Sequence, residues 1–190
     1  MVVKSTISDL LLEEADLLLV CDSGGQDSLL QNMIVQSQGH IGIISDEFPF
    51  LSALSTIENI VLGNVYHQNI SIKRARKRIS EYVRILGLGN YLWKSVRHLP
   101  DEKLLLAMLL RCIASGNSIV FMGKPGSTRA EIVKNAVTAG ELPVKPWVSC
   151  LDKDHTEYAA LGLKKVLFRA QTGSLQERGR PGAPVRVFSE

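Results

Sequence analysis

Residues 102–114 carry Leu104, Leu105, Leu106, Ala107, Met108, Leu109 and Leu110 in unbroken succession, and Ser115-Gly116-Asn117 then leads into Ser118-Ile119-Val120-Phe121-Met122. A helix apolar nearly all round is buried on most sides. The short β-branched segment behind it is a buried strand by its length and composition. Joined through a Gly-containing turn, such a helix and strand are parts of a layered α/β core. Leu17-Leu18-Leu19-Val20, Trp147-Val148-Ser149-Cys150 and Lys165-Val166-Leu167-Phe168-Arg169 read as further short strands. The expectation is an α/β fold with a mostly parallel sheet flanked by helices.

Composition narrows the classes. With 190 residues, 45% hydrophobic and 22% charged, the chain suits one compact domain, expected over residues 1–170. No apolar run approaches the roughly 18 residues of a transmembrane helix, and Asp9, Glu13, Glu14 and Asp16 argue against a signal peptide. Cys21, Cys112 and Cys150 form no C-x-x-C pair, and the histidines at 40, 67, 98 and 155 show no ligand spacing, so no metal site is expected. A net charge of +3 is too small to argue for nucleic acid. Residues 171–190 are rich in Gly, Pro and Arg and are expected to form a turn near Thr172-Gly173 and then a flexible tail. A short strand at Val185-Arg186-Val187-Phe188 is a further expectation. Lys73-Arg74-Ala75-Arg76-Lys77-Arg78 opens an amphipathic helix expected to continue to Gly87. Its basic face is either solvated or in contact with acidic lipid or an acidic partner.

Motifs stand at the strand ends. After residues 17–20 comes Cys21-Asp22-Ser23-Gly24-Gly25-Gln26-Asp27-Ser28, which matches the eight positions of G-x-x-x-x-G-K-[ST] in order. Cys21 replaces the first Gly, Gln26 the second and Asp27 the Lys, while Ser28 fits. That motif works because backbone N–H groups cradle phosphates, the Lys neutralises them and the hydroxyl holds Mg²⁺. A carboxylate at the Lys position repels phosphate instead. Ile41-Gly42-Ile43-Ile44-Ser45-Asp46 is followed by Glu47-Phe48-Pro49-Phe50-Leu51 and by Ser55-Thr56-Ile57-Glu58-Asn59. There Ser55 or Thr56 is placed to cap a helix, with Glu58 in its first turn. Leu99-Pro100-Asp101-Glu102-Lys103 precedes the apolar helix, and Gly123-Lys124-Pro125 follows the strand. Leu151-Asp152-Lys153-Asp154-His155 follows the last core strand.

In this order the segments resemble those of ABC-transporter ATP-binding subunits, especially the lipoprotein-export, cell-division and lipid-trafficking branches. The resemblance spans roughly residues 7–178. It implies a P-loop NTPase-like fold with a helical subdomain at about residues 52–115. It also identifies each segment: a degenerate P-loop (Cys21, Gly24, Gly25, Gln26, Asp27, Ser28), a Q-loop with Asp46 for Gln, and a signature loop at 99–103. Gly123 and Lys124 stand for the Walker B acidic pair, and Asp154 for the switch His, with His155 one register step away. Seventeen residues separate Ser28 from Asp46, and no aromatic residue precedes Phe48. The antiparallel β-subdomain and the adenine-stacking side chain are therefore expected to be largely missing.

What the resemblance implies is a pseudo-ATPase with no cofactor and no catalytic residues. It would act as a structural or regulatory partner of a membrane transporter complex, cytoplasmic and peripheral through that partner. Phe48, Pro49, Phe50, Leu51 and Leu54 are then either a docking surface or core. The partner would be an ABC permease, an active ATP-binding subunit or a second copy, giving a homo- or heterodimer. A nucleotide-binding regulatory module without hydrolysis is the alternative, since Gly24-Gly25 and the following helix N-terminus suit an anion. An enzyme of another class would need a clustered nucleophile or acid–base set, and the sequence displays none. The exchanged signs at Asp27 and Lys124 predict that these two side chains pair.

Overall fold

The computed structural model describes residues 2–22, 24–36 and 39–169. The expected tail, with the turn at 172–173 and the strand at 185–188, lies outside the described residues. Strands β1 (Val2–Lys4), β2 (Leu17–Cys21), β3 (Ile41–Ile44), β4 (Ile119–Gly123), β5 (Lys145–Leu151) and β6 (Lys164–Phe168) form one sheet in the order β1-β6-β2-β5-β4-β3. Every pairing in it is parallel, for example Val20 opposite Cys150 and Met122 opposite Val148. Among the described residues the sole antiparallel pairing is an isolated bridge between Ser55 and Ser95.

All five residues of β2 are buried, because side chains alternate across a strand and both faces of this sheet are covered. Leu18, Val20, Val120, Met122, Val148 and Cys150 belong to one apolar core. That core also takes residues of helices α3 (Thr56–Gln68), α6 (Asp101–Ala114) and α7 (Ser127–Ala139). Leu17, Leu19, Cys21, Phe121, Trp147 and Val166 belong to a second core, with residues of α1 (Ile7–Leu11) and α2 (Gly25–Gln36). The nearly all-apolar α6 follows from this arrangement. It lies against β3 on one side and α3 and α7 on others, and residues 105–110 are all buried.

Between β3 and β4 the chain is helical, running through α3, α4 (Ile72–Arg78), α5 (Ser80–Ile85), two short 3₁₀ turns and α6. Two elements were not foreseen from the sequence, and one reading of it is corrected. The stretch ahead of residue 17 carries β1 and α1, which the sequence did not reveal, since elements of three and five residues are too short to display a period. The helix expected from Lys73 to Gly87 is broken at Ile79, whose φ of −100° and ψ of 6° leave the helical region. Ser80 contributes by donating its hydroxyl to the Lys77 carbonyl at 2.9 Å.

Candidate functional site

In open parallel sheets the ligand-binding edge is the one at the carboxyl ends of the strands. Here that edge gathers Asp22 after β2, Asp46 after β3, Lys124 after β4 and Asp152 with Asp154 after β5. Helix α2 starts at Gly25, so that Gln26, Asp27 and Ser28 lie in its first turn. Asp22 caps it: Gly25 donates its backbone N–H to the Asp22 carboxylate at 2.6 Å. A Cβ built on Gly25 would lie 2.8 Å from that same oxygen, so a larger residue there would push the Asp22 carboxylate off this hydrogen bond. The Ser28 hydroxyl donates to the Gly24 carbonyl at 3.2 Å. Gly24 itself is exposed. Gln26 is buried, 3% exposed, and neither its amide nitrogen nor its amide oxygen has a hydrogen-bond partner.

Asp27 and Lys124 meet, as their exchanged signs predicted, with Nζ 3.3 Å from Oδ1. Both are well exposed, at 85% and 54%, so the pair spans the mouth of the site from outside and does not fill a packed interior. Lys124 sits at a φ of 49°, the left-handed region, and its N–H donates to the Ser149 hydroxyl at 3.4 Å. A second ion pair lies alongside. Arg129, in the first turn of α7, reaches Asp46 at 3.3 Å. The sequence reading missed Arg129, although its sign opposite Asp46 repeats the logic that found Lys124. Asp46 and Arg129 also border a cleft of about 440 Å³ shared with Asp101, Glu102, Leu105 and Thr128. Thus Asp27 and Asp46 are tied by ion pairs to Lys124 and Arg129 across the same edge.

Asp154 and His155 occupy a 3₁₀ segment, Asp152–Leu161, directly after β5. The His155 ring nitrogen Nδ1 contacts the Asp152 carbonyl and lies 3.7 Å from the Asp152 carboxylate, so it is engaged within its own turn. Burial pushes the Cys21 thiol up to about 12, with Cys150 and Asp22 nearby adding to the rise. A neutral thiol of that kind is a poor nucleophile.

The fold family suggests a magnesium–triphosphate complex at this edge, and the residues present do not fit one. The first helical N–H that would cradle phosphate already holds the Asp22 carboxylate. Asp27, which the motif resemblance sets at the place of a neutralising Lys, is a carboxylate engaged with Lys124.

Behind this edge lies the loop after β3. Phe48, Pro49 and Leu51 are exposed, Leu54 is half-buried, and Phe50 is buried at 8%. Phe50 is a core side chain covered by Arg111, whose guanidinium stands 4.9 Å from the ring centre. The same guanidinium donates to the carbonyls of Phe48 at 3.1 Å and Ile43 at 3.4 Å. Asn59, itself 3% exposed, accepts the Leu51 N–H at 2.7 Å and donates to the carbonyls of Leu51, Leu54 and Ser55. The loop is therefore held from beneath by two side chains while its outer residues face solvent. A cleft of about 370 Å³, floored by Phe50, Val96, Leu104 and Met108, opens beside it.

No family model and no curated protein sequence matches this chain. The fold does match. Helices on both faces of a parallel sheet agree with the α/β, P-loop NTPase-like fold expected from the sequence. Among solved structures, CbiO1 from Clostridium perfringens, described as part of the ABC transporter complex CbiONQ, aligns with a TM-score of 0.57. The alignment covers 73% of this chain and 68% of that one at 13% identity. No helix among the described residues is long and apolar enough to cross a membrane.

Proposed function

We propose that this chain is a non-hydrolysing, ABC-ATPase-like subunit that docks on a membrane transporter complex as a structural or regulatory partner. The observation that carries the reading is the loop at 46–54, clamped from below by Arg111 and Asn59 with Phe48, Pro49 and Leu51 turned outward. Holding apolar side chains in water on a fixed backbone has a cost that a partner surface offsets. The neighbouring cleft, with its apolar floor, is shaped to take a helix or loop end from such a partner. The site edge supports the non-hydrolysing half of the reading, because Asp22, Asp27 and Asp46 place carboxylates where a triphosphate and its metal would need cations, amides and a neutral ligand. The partner is a permease or an active ATP-binding subunit, and association with the membrane is peripheral, through that partner.

Two measurements test this. Calorimetric titration with magnesium-ATP and with ADP is expected to give no isotherm at micromolar concentrations, and the purified chain is expected to release no phosphate. A clear micromolar isotherm without phosphate release would instead establish a nucleotide-binding regulatory module. For docking, the chain is captured from native membranes beside a Leu51→Asp variant, with the partners identified by mass spectrometry. A permease or ATP-binding subunit should co-purify with the parent chain and be lost from the variant. Undiminished capture by Leu51→Asp ends the docking idea. Phe50 is unsuitable for this experiment, since burying a charge there reports on folding instead of docking.

A further inference from the structure

Helix α4 is the most strongly charged element among the described residues. Its inward positions are Ala75, at 2% exposed, and Ile79 just past its end, at 5%. The other positions of the helix, Ile72 apart, are basic: Lys73, Arg74, Arg76, Lys77 and Arg78 are all exposed. No carboxylate occurs in the sequence between Glu58 and Glu81. None of these five cations takes part in the ion pairs formed among the described residues. Arg78 instead donates to the Gln68 side-chain oxygen at 2.7 Å. Placing so many like charges on one short helix disfavours the helix through mutual repulsion, a cost relieved by a polyanionic surface.

A second feature sits against this helix. Trp93, in the turn before Val96–His98, is 63% exposed although Leu92 beside it is 2% exposed. The Arg76 guanidinium lies 5.6 Å from the centre of its ring. Together Ile72, Lys73, Arg76, Lys77, Ser80 and Trp93 line a shallow groove of about 590 Å³. Its chemistry is two-layered, with an indole and an isoleucine supplying apolar surface and ammonium and guanidinium groups arranged around them.

We infer that the α4–Trp93 groove is a contact surface for anionic phospholipid, with Lys73, Arg76 and Lys77 on headgroup phosphates and the Trp93 indole at the headgroup–acyl boundary. Charge complementarity selects an anionic partner, and the indole with its aliphatic neighbour selects a membrane interface, where tryptophan and basic side chains are jointly favoured. Single-stranded nucleic acid fits less well. Stacking of bases needs open aromatic faces, whereas Arg76 already covers one face of Trp93 and no other aromatic residue lines the groove. The inference stands apart from the proposed docking loop, because it concerns direct lipid contact and uses different residues.

The test is flotation of the full chain with vesicles of phosphatidylcholine mixed with phosphatidylglycerol, beside vesicles of phosphatidylcholine alone. Binding is expected to the mixed vesicles only and to weaken with added salt. Replacing Lys73, Arg76 and Lys77 together by Gln should reduce the partition coefficient about 100-fold, at roughly a fivefold loss for each cation removed. All three positions are exposed, and an unchanged far-ultraviolet spectrum verifies that the variant is folded. Tryptophan fluorescence provides an independent reading. Trp147 is 0% exposed and contributes a constant background, so a blue shift on binding reports Trp93. That shift should disappear in Trp93→Ala. Equal binding to both vesicle types, a triple variant that binds as the parent does, or an indole emission that does not move would each overturn the inference. So would tighter binding to a single-stranded oligonucleotide than to mixed vesicles at the same ionic strength.

Discussion

Asn59 joins a helix to a loop through both ends of one amide: its oxygen takes the Leu51 N–H and its nitrogen faces three backbone carbonyls. An Asn59→Asp variant keeps the size and the acceptor but turns a donor into a second acceptor against those carbonyls. Loss of a buried bond with an unsatisfied partner costs about 1–3 kcal/mol, and more where a charge is involved. Urea unfolding of Asn59→Asp should therefore show a loss of about 3 kcal/mol, and a loss under about 1 kcal/mol would show that the loop does not depend on this residue. Gln26 offers the opposite case. Its buried amide has neither donor nor acceptor opposite it, so an apolar side chain of similar length should fit better. Gln26→Met is expected to raise stability by about 1–2 kcal/mol in the same assay. Asp22 shows how a residue-scale role escapes sequence reading. It was one of the unassigned positions in the degenerate loop, and its task as the cap of α2 follows from the helix beginning at Gly25, three residues on.

At the scale of elements, a cap for α3 was legible in advance, with Ser55 or Thr56 as the candidate and Glu58 in the first turn, and the structure assigns it to Ser55 as a reciprocal capping box with Glu58. Ser55 Oγ accepts from the Glu58 N–H, and the Glu58 carboxylate takes both the N–H and the hydroxyl of Ser55. Those two bonds from Ser55 hold the Glu58 carboxyl below the usual glutamate range. A depressed carboxylate contributes stability that is present above its unfolded value and is lost as pH falls through the folded one. In Glu58→Gln the amide still accepts from Ser55 but no longer titrates. The acid limb of the stability–pH curve should be shallower in this variant than in the parent, and identical acid limbs would remove Glu58 from the linkage. The Asp27–Lys124 pair was legible only through the resemblance, in which a basic loop residue faces acidic residues at a strand end and the signs here are exchanged; in the structure β5 lies between β2 and β4, and the two side chains meet across it. The clamp by Arg111 was not legible. It depends on α6 presenting its last turn to the loop after β3, a tertiary relation that no local pattern encodes. β1 and the break at Ile79 escaped for a related reason: a three-residue edge strand and a single non-helical residue fall below the length of any period.

For the whole molecule, the two-sided sheet explains why its cysteines are silent and when they would cease to be. Cys21 lies in the core on one face, Cys112 and Cys150 in the core on the other. Burial lifts Cys21 from 9.0 to about 12 and both others to about 11. Unfolding returns each thiol to water and to its ordinary value. Below pH 9 both states hold their protons and the thiols add no pH dependence. Between pH 9 and 11 the unfolded chain loses thiol protons that the folded chain retains, so the unfolded state is favoured progressively as pH rises. The buried Tyr158 hydroxyl, also raised by burial, acts in the same direction. Each cysteine contributes a slope of up to about 1.4 kcal/mol per pH unit in that window. Urea midpoints measured from pH 7 to 11 should be level at first and then fall steeply above pH 9. Cys150→Ala should make the fall shallower at the expense of a small cavity, while the parent's thiols should react with an aromatic disulfide reagent at pH 8 only as fast as the chain unfolds. A flat midpoint across this range, or rapid labelling of the folded chain, would mean that water reaches one of the two cores and that the sheet is not sealed on both faces.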